Sequence, residues 1–258
     1  MRRGLAPSRE RARTDILAGR VIVAGAPASK PARLVAPGDP IVVLGPPARF
    51  VSRGGEKLDA ALDRFGVPVV GRRVIDVGAS TGGFTDCLLQ RGAHRVVAVD
   101  VGYGQLHERL RADPRVAVHE RTTVRGLAPD RLGGPADLVV ADLSFISLRT
   151  VVEDLVGLTE PDGELVLLVK PQFEAGREEA ARGRGVITDP AVWRRVLVEV
   201  DDALRGRGAA IMEAMVSPLT GADGNVEFLV HVVVPSRAAA LPPLDVDAVV
   251  AEVAGRTP

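Results

Sequence analysis

A hydrophobic strand that runs directly into a glycine-rich turn most constrains the fold of this 258-residue chain. The stretch Val74–Val77 is apolar except for Asp76, three of the next six residues are glycine, and a helical pattern begins at Phe84. Open parallel sheets bind ligands where a strand passes through such a turn into a helix, because glycine lets a ligand approach the backbone closely. The sequence therefore predicts an α/β fold with a ligand at this turn.

The rest of the chain alternates between strand and helix patterns. This alternation predicts βαβ units and a Rossmann-like parallel sheet with helices on both faces. The predicted strands are Arg73–Val77, Arg95–Val99, Arg115–His119, Leu138–Ala141 and Leu165–Lys170. The predicted helices are Lys57–Phe65, Phe84–Arg91, Gln105–Ala112, Ser147–Val156 and Pro190–Arg207. We expect the two last strands, Ala210–Val216 and Val226–Val234, to form an antiparallel hairpin at the sheet edge.

A small α/β module is predicted over residues 1–45. Ser8 is a candidate N-cap for a helix that starts at Arg9 and ends near Gly19, and two β-prone runs follow at Val21–Val23 and Ile41–Leu44. Residues 46–56, which begin with two prolines, are predicted to be a linker. We expect residues 57–236 to form the sheet domain and residues 237–258 a peripheral tail.

Charge is distributed unevenly between these parts. Residues 1–57 contain 11 basic and 4 acidic side chains, whereas the remaining residues contain 22 basic and 29 acidic ones. A basic module on an acidic body favours a polyanionic partner, although a solvated charged surface gives the same composition. The candidate side chains for binding such a partner are Arg2, Arg3, Arg9, Arg13, Arg20 and Arg53.

Several classes of protein are excluded by the sequence. The single cysteine, Cys87, cannot form an intramolecular disulfide, which fits a reducing cytoplasm. Met1–Arg13 has no apolar segment of the kind found in signal peptides. The longest apolar runs, Leu165–Val169 and Phe228–Val234, are too short to cross a bilayer. We therefore expect a cytoplasmic protein with no membrane partner, and no residue pattern predicts a metal site.

The residues of the turn narrow the class of ligand. A P-loop would need a Gly-Lys-Ser/Thr sequence, which is absent, and the dinucleotide pattern G-x-G-x-x-G fails at Ser80. The remaining pattern suits a ligand that has a ribose and an amino-acid moiety but no pyrophosphate, as S-adenosylmethionine has. Asp100, at the end of the next strand, is placed to bind both ribose hydroxyls. A solvated strand-end aspartate is the alternative at that position.

Four charged residues are predicted at the carboxyl edge of the sheet, beside this turn. Asp142 and Lys170 end the fourth and fifth strands, and Glu227 starts the last strand, whose antiparallel direction puts its start at the same edge. Lys57 opens the helix before the first strand of the sheet. The chain has 30 arginines and only three lysines. Lysine matters at such positions because it can lose its proton, and arginine effectively cannot.

Eight stretches that together span nearly the whole chain carry a resemblance to a known family. They are Ser8–Ala12, Val51–Leu58, Asp76–Phe84, Asp100–Leu106, Glu120–Thr122, Asp142–Leu148, Lys170–Glu174 and Gly224–Phe228. They closely resemble the TlyA family of rRNA 2′-O-methyltransferases, often named hemolysins, which join an S4-like RNA-binding module to an FtsJ/RrmJ-type methyltransferase domain. The resemblance implies S-adenosylmethionine as cofactor, a cytidine ribose of ribosomal RNA as substrate, and ribosomal subunits as partners.

The resemblance also implies roles for individual residues. It implies a catalytic Lys-Asp-Lys-Glu tetrad, carried here by Lys57, Asp142, Lys170 and Glu227. The implied cofactor contacts are Asp76, Gly78, Ala79, Ser80, Thr81, Gly82, Gly83, Phe84, Asp100, Glu120, Phe145 and Asn225.

Methylation of a ribose hydroxyl needs the two reactants held in line and one proton removed. We expect Lys170 to be the general base, its neutral form favoured by the ammonium of a nearby Lys57 and by partial burial. Asp142 and Glu227 would orient the amines and the hydroxyl. Two other functions compete with this one: a non-catalytic rRNA-binding or ribosome-assembly factor, and membrane lysis. Lysine in the tetrad argues against pure binding, and the lack of a membrane span or strongly apolar amphipathic helix argues against lysis.

Overall fold

The structure is a computed structural model, and it describes residues 3, 5, 6, 9–45, 48–176, 179, 181, 183–221, 223–234 and 242–255. These residues contain two separate sheets, of three and of seven strands.

The smaller sheet forms the N-terminal module. Helix α1 (Arg9–Leu17) precedes three short antiparallel strands, β1 (Val21–Val23), β2 (Ala26–Pro27) and β3 (Ile41–Val43), in the order β2-β1-β3. The predicted helix and both predicted strands are present. The two-residue β2 is too short for a sequence pattern to reveal, and the predicted cap, Ser8, lies outside the described residues.

The larger sheet has the strand order β6-β5-β4-β7-β8-β10-β9. Its strands are β4 (Arg73–Val77), β5 (Arg95–Val99), β6 (Val116–His119), β7 (Ala136–Ala141), β8 (Thr159–Val169), β9 (Ala210–Val216) and β10 (Phe228–Val233). Strands β4 to β8 run parallel to one another, and β10 runs antiparallel to both of its neighbours, β8 and β9. The predicted Rossmann-like sheet with an antiparallel last strand is confirmed.

Helices cover both faces of this sheet. They are α2 (Gly54–Phe65), α3 (Gly83–Gln90), α4 (Glu108–Arg111), α5 (Val152–Gly157), α6 (Pro171–Glu174), α7 (Pro190–Arg205) and α8 (Val246–Ala254), with 3₁₀ turns at Pro129–Leu132 and Leu148–Thr150. Because side chains alternate along a strand, Val74 of β4 packs with α2 and α3, whereas Ile75 and Val77 pack with α5 and α7. Asp76 shares the face of Val74.

Among the helices, three boundaries differ from the prediction for identifiable local reasons. Helix α2 begins at Gly54, three residues before the predicted start at Lys57. The predicted linker is therefore wrong for residues 50–56, because Phe50 and Val51 are buried in the core and a Cβ on Gly55 would overlap the Phe50 ring. Helix α4 begins only after His107, whose ring nitrogen accepts the N–H of Arg109. The predicted helix 147–156 is a 3₁₀ turn followed by α5, because the backbone at Val151 is not helical (φ −131°).

The expectation of a peripheral C-terminal tail is wrong for residues 246–254, because they form a packed helix. Val249 and Val250 of α8 are both 5% exposed and belong to the same core as α7 and β9. Asp245 caps the helix by accepting the N–H of Ala248 (3.1 Å). The apolar residues at 246, 249, 250 and 253 have helical spacing and are the signal for this element. Within the described part of the chain, no helix combines the length and the apolar character needed to cross a membrane.

Candidate active site

The glycine-rich turn connects β4 to α3 at the carboxyl edge of the sheet. Gly78, Ser80 and Gly82 all have positive φ angles, of 84°, 47° and 96°. Glycine adopts this left-handed conformation without the steric cost that a side chain brings. A Cβ on Gly78 would overlap the carbonyl oxygen of Asp142, and one on Gly82 would overlap Leu110. The turn therefore lies directly against the end of β7, with no room for a side chain at either glycine.

Asp76 is buried at the base of this turn. It is fully inaccessible, and the Thr85 hydroxyl donates a hydrogen bond to its Oδ2 (2.6 Å). Its Oδ1 has no hydrogen-bond partner. Burial raises the pKa of Asp76 to about 7, against the opposing hydrogen bond from Thr85 and with a further rise from the charges of Asp142 and Asp100. One buried carboxyl oxygen therefore remains available as an acceptor beside the turn.

Two further carboxylates follow the neighbouring strands. Asp100, directly after β5, accepts the N–H of Ser80 at Oδ2 (2.7 Å) and the N–H of Gly102 at Oδ1 (2.6 Å). Glu120, directly after β6, accepts a hydrogen bond from Arg111 (2.5 Å), and this bond lowers the pKa of Glu120. Asp100 thus holds the conformation of the turn. Cofactor binding by both residues stays a prediction.

The start of α3 is packed against the start of α2. A Cβ on Gly83 would overlap residues just before and within the first turn of α2. Of the predicted cofactor residues in this stretch, Ala79 and Phe84 are buried and Thr81 is half-buried. The observed role of Gly83 is therefore to let the two helices approach, and this approach brings Lys57 to the edge of the sheet.

Lys57 and Glu227 form a buried ion pair at this edge. The distance from Lys57 Nζ to Glu227 Oε2 is 2.5 Å, and the two residues are 7% and 3% exposed. Lys57 comes from α2, and Glu227 immediately precedes β10. Removing one partner of such a pair leaves a buried charge without compensation, which costs about 3–5 kcal/mol.

Lys170 and Asp142 form the second ion pair. Lys170 Nζ lies 2.5 Å from Asp142 Oδ1 and donates a hydrogen bond to the Ser144 hydroxyl (3.0 Å). The contact with Asp142 lacks the geometry of a hydrogen bond, so that carboxylate oxygen is held by charge alone. The sequence predicts that all four residues meet at one edge, which the structure shows. It does not predict that each lysine is paired with a carboxylate.

Two predicted cofactor residues have unexpected surroundings. Phe145 is 91% exposed, has a positive φ of 64°, and its ring centroid lies 5.3 Å from that of Phe173. Asn225 is 2% exposed, and its amide accepts the N–H of Ile187 (2.9 Å) and donates to the carbonyl of Gly185 (2.8 Å). Both the oxygen and the nitrogen of the Asn225 side-chain amide are therefore hydrogen-bonded to backbone in this structure. The cofactor roles of Phe145 and Asn225 stay predictions.

Sequence reasoning gave no role to Glu174, which is 2% exposed. Its carboxylate accepts hydrogen bonds from the Ser147 hydroxyl (2.5 Å) and from the N–H of Leu148 (2.7 Å). The available signal was that Glu174 ends one of the stretches of family resemblance. A buried glutamate there indicates a structural or functional requirement, because glutamate is almost never fully buried unless paired.

The predicted RNA-binding arginines have different surroundings. The Arg3 guanidinium donates to the backbone carbonyls of residues 36, 37 and 39, and Arg20 is paired with Asp15 (2.7 Å). Both side chains therefore stabilise the module itself. Arg13 is exposed on α1. The remaining predicted residues are Arg53, half-buried just before α2, and Arg2 and the side chain of Arg9, which lie outside what the structure describes.

The arrangement fits a cationic ligand at the turn. Asp76, Asp100 and Asp142 lie at or next to it, and two buried carboxylate oxygens, Asp76 Oδ1 and Asp142 Oδ1, have no hydrogen bond. Such a site repels a pyrophosphate and favours the ammonium and sulfonium groups of S-adenosylmethionine. Among the described residues, no three or more His, Cys, Asp or Glu side chains are grouped so that they could hold a metal ion.

Comparison with known proteins assigns both parts of the chain. Residues 50–233 match the family model of FtsJ-like methyltransferases, and residues 2–41 match that of the S4 domain. The chain is 51% identical to the 16S/23S rRNA (cytidine-2′-O)-methyltransferase TlyA of Mycobacterium tuberculosis over 229 residues, which are 88% of this chain and 85% of that protein. It is 46% identical to a putative rRNA methyltransferase of Bacillus subtilis over 230 residues, 89% of this chain and 82% of the relative.

A solved structure shows the same architecture. The putative hemolysin from Streptococcus thermophilus superposes with a TM-score of 0.82 at 38% identity, over 98% of this chain and 93% of that one. Relatives therefore carry both methyltransferase and hemolysin names. The chain belongs to the TlyA family of FtsJ-like methyltransferases that carry an N-terminal S4 domain.

Proposed function

We propose that this protein transfers a methyl group from S-adenosylmethionine to the 2′-hydroxyl of a cytidine in ribosomal RNA. The observation that carries the proposal is the contact between the glycine turn and the Lys170–Asp142 pair. Because Gly78 lies against the Asp142 carbonyl, the Lys170–Asp142 ion pair is immediately beside the predicted cofactor position. The name of the M. tuberculosis relative supports the same reaction, and that of the B. subtilis relative supports methylation of rRNA.

The cofactor supplies, when bound, a methyl group activated by a sulfonium charge. The chain would hold it with the backbone of the glycine turn and with the acidic groups around it. Asp76 Oδ1 is a buried acceptor without a hydrogen bond and suits a cationic group, whereas Asp142 Oδ1 already faces the Lys170 ammonium. Asp100 already fixes the turn through the N–H of Ser80. The acidic groups beside the glycine turn would disfavour cofactors that carry phosphates.

The four residues of the tetrad have separate proposed roles in the reaction. An amine in an ion pair is protonated, so Lys170 would first release that proton to solvent; its neutral Nζ would then take the proton of the 2′-hydroxyl, while Asp142 and Ser144 fix the direction of the amine. Glu227 would hold Lys57, whose amine then orients the ribose from the α2 side. Positioning of the hydroxyl and removal of one proton are together what this reaction needs from the protein.

Ribosomal subunits are the proposed partners, and the reaction is proposed to occur in the cytoplasm with them. The S4 match and the excess of basic residues in 1–57 support RNA contact by the N-terminal module. The sheet domain carries the complementary acidic excess. RNA should therefore be held mainly by the module and presented to the carboxyl edge of the sheet.

The base assignment is tested with Lys170→Arg. Arginine keeps the charge but stays protonated, so single-turnover methylation should fall by about a hundredfold or more while cofactor and RNA still bind. Lys30→Arg, at an exposed lysine of the module, is the matched control and should behave like wild type. The measurement is single-turnover methylation of saturating ribosomal substrate. A near-wild-type rate for Lys170→Arg would remove Lys170 as the base.

The role of the module is tested with Arg13→Ala. If Arg13 contacts a phosphate, its loss should weaken subunit binding about three- to tenfold and reduce the slope of log affinity against log salt by about 0.7–0.9. Cofactor binding should not change. Arg207→Ala, at an exposed arginine beyond α7, is the control. Equal salt slopes for both variants and wild type would contradict a phosphate contact at Arg13.

A further inference from the structure

Glu174 joins two segments that carry catalytic side chains. The first, residues 142–148, follows β7 and contains Asp142 and Ser144. The second, residues 170–174, follows β8 and contains Lys170. The Glu174 carboxylate lies in the second segment and accepts hydrogen bonds from the far end of the first, at Ser147 and Leu148.

The carboxylate takes the place of a missing helix cap. The 3₁₀ turn Leu148–Thr150 has no side-chain cap from its own N-cap residue, Ser147. The Glu174 carboxylate instead accepts a hydrogen bond from the N–H of Leu148, the first residue of that turn, at 2.7 Å. The carbonyl of Glu174 also accepts Arg149 Nη2 at 2.7 Å. Arg149 Nε also donates to the Glu174 carboxylate (3.4 Å), so Glu174 accepts four hydrogen bonds from residues 147–149.

The segment from Asp142 to Leu148 needs such a restraint. Its middle residue, Phe145, has a φ of 64°, which a bulky side chain adopts only under constraint from its surroundings. The N–H of Asp142 is bonded to the Val77 carbonyl (3.0 Å) at one end of the segment. Glu174 fixes the other end. With both ends fixed, Asp142 and Ser144 are held in the strained loop that presents them to Lys170.

Lys170 is linked to Glu174 in turn. The N–H of Phe173 (2.9 Å) and the N–H of Glu174 (3.3 Å) both donate to the Lys170 carbonyl, so α6 moves as one piece with Lys170. A shift of Glu174 would therefore change the position of Lys170 relative to Asp142 and Ser144, which lie 2.5 Å and 3.0 Å from its amine.

We propose that Glu174 is a positioning residue for the methyl transfer: its buried carboxylate sets the geometry of Lys170 against Asp142 and Ser144 without touching the substrate. This proposal rests on the function proposed above. It assigns to Glu174 an effect on the rate of the chemical step rather than on the binding of cofactor or RNA.

The test compares three variants of the full chain. Glu174→Ala removes the carboxylate. Glu174→Gln keeps an acceptor for the Leu148 N–H and a group that can bond Ser147. Glu199→Ala is the matched control, because Glu199 is the other acidic partner of Arg149 (2.6 Å) and contributes nothing to the connection between the two segments. The readouts are single-turnover methylation at saturating cofactor and ribosomal substrate, the substrate concentration at half-saturation, and hydrogen exchange of residues 143–148 in the cofactor-free protein.

The expected results separate positioning from folding. Glu174→Ala should lose tenfold or more in the saturated rate with half-saturation within twofold of wild type, and its 143–148 amides should exchange faster. Glu174→Gln should recover to within threefold of wild type, and Glu199→Ala should match wild type. Equal rates for Glu174→Ala and Glu199→Ala would overturn the proposal.

Two further outcomes also bear on the proposal: a Glu174→Ala variant that does not fold, and a wild type that is inactive. If Glu174→Ala does not fold, Ser147→Ala replaces it, and a rate equal to wild type would overturn the proposal while a threefold or greater loss would support it. If wild type itself methylates no ribosomal RNA, the proposed function fails. The hydrogen-exchange comparison then still decides whether Glu174 restrains the loop.

Discussion

At the scale of single residues, Asp76 is the carboxylate whose ionisation is most coupled to the fold. It is completely buried, and burial raises its pKa from 3.8 to about 7. The sequence identifies Asp76 through the apolar strand around it. Which of its two oxygens lacks a hydrogen bond depends on the direction of the Thr85 hydroxyl in α3. Likewise, the sequence brings Lys57, Asp142, Lys170 and Glu227 to one edge. It cannot say which lysine pairs with which carboxylate, because that depends on side-chain contacts between distant segments.

The pH dependence of the free energy of unfolding should include a contribution from the protonation of Asp76. Between about pH 4 and pH 7 the folded state retains a proton that the unfolded chain releases, so this residue makes the free energy of unfolding fall as pH rises. Its contribution is greatest below the unfolded pKa of 3.8 and is lost by about pH 7. Asp76→Asn cannot ionise and should flatten the curve by up to about 1.4 kcal/mol per pH unit.

Urea unfolding at pH 5, 6 and 7 measures this slope. Asp63→Asn, at an exposed carboxylate paired with Arg91, is the control and should run parallel to wild type. Parallel curves for wild type and Asp76→Asn would mean that Asp76 is ionised in the folded protein across this range.

At the scale of elements, the strands of the larger sheet follow from the sequence more closely than its helices. The buried strands are continuous apolar runs, and their bounds differ from prediction by at most two residues, except that β8 begins at Thr159, six residues before the predicted start. The one-turn helix α6 is too short to leave a periodic pattern. The glycine turn is predictable as a ligand site. Its contact with Asp142 is not, because that contact depends on β4 and β7 being neighbours in the sheet.

Gly78→Ala tests this turn. A Cβ there would overlap the Asp142 carbonyl, so the variant should bind S-adenosylhomocysteine at least about tenfold more weakly by calorimetry, which is about 1.4 kcal/mol. Gly92→Ala is a closely matched control, because Gly92 has the same φ of 84° but its nearest neighbour would lie 3.4 Å away, on the side chain of Val70. If both variants lose affinity equally, backbone strain and not the contact with Asp142 explains the effect.

At the scale of the whole molecule, two parts with opposite charge excess are joined in one chain. The basic module resembles an RNA-binding domain, and the acidic sheet domain carries the candidate chemistry at one edge. The sequence predicts this division from composition and strand–helix alternation. It does not predict that α8 packs on the sheet domain, because an apolar stripe on a helix does not show which hydrophobic core the helix packs against.

The most direct test of the central claim is a map of 2′-O-methylated nucleotides on ribosomal RNA from cells with and without this gene. The account predicts one or more cytidines that are methylated only when the gene is present, restored by the wild-type gene and not by the Lys170→Arg gene. Identical maps with and without the gene would contradict ribose methylation. Restoration of the methyl mark to full level by Lys170→Arg would contradict the role proposed for Lys170.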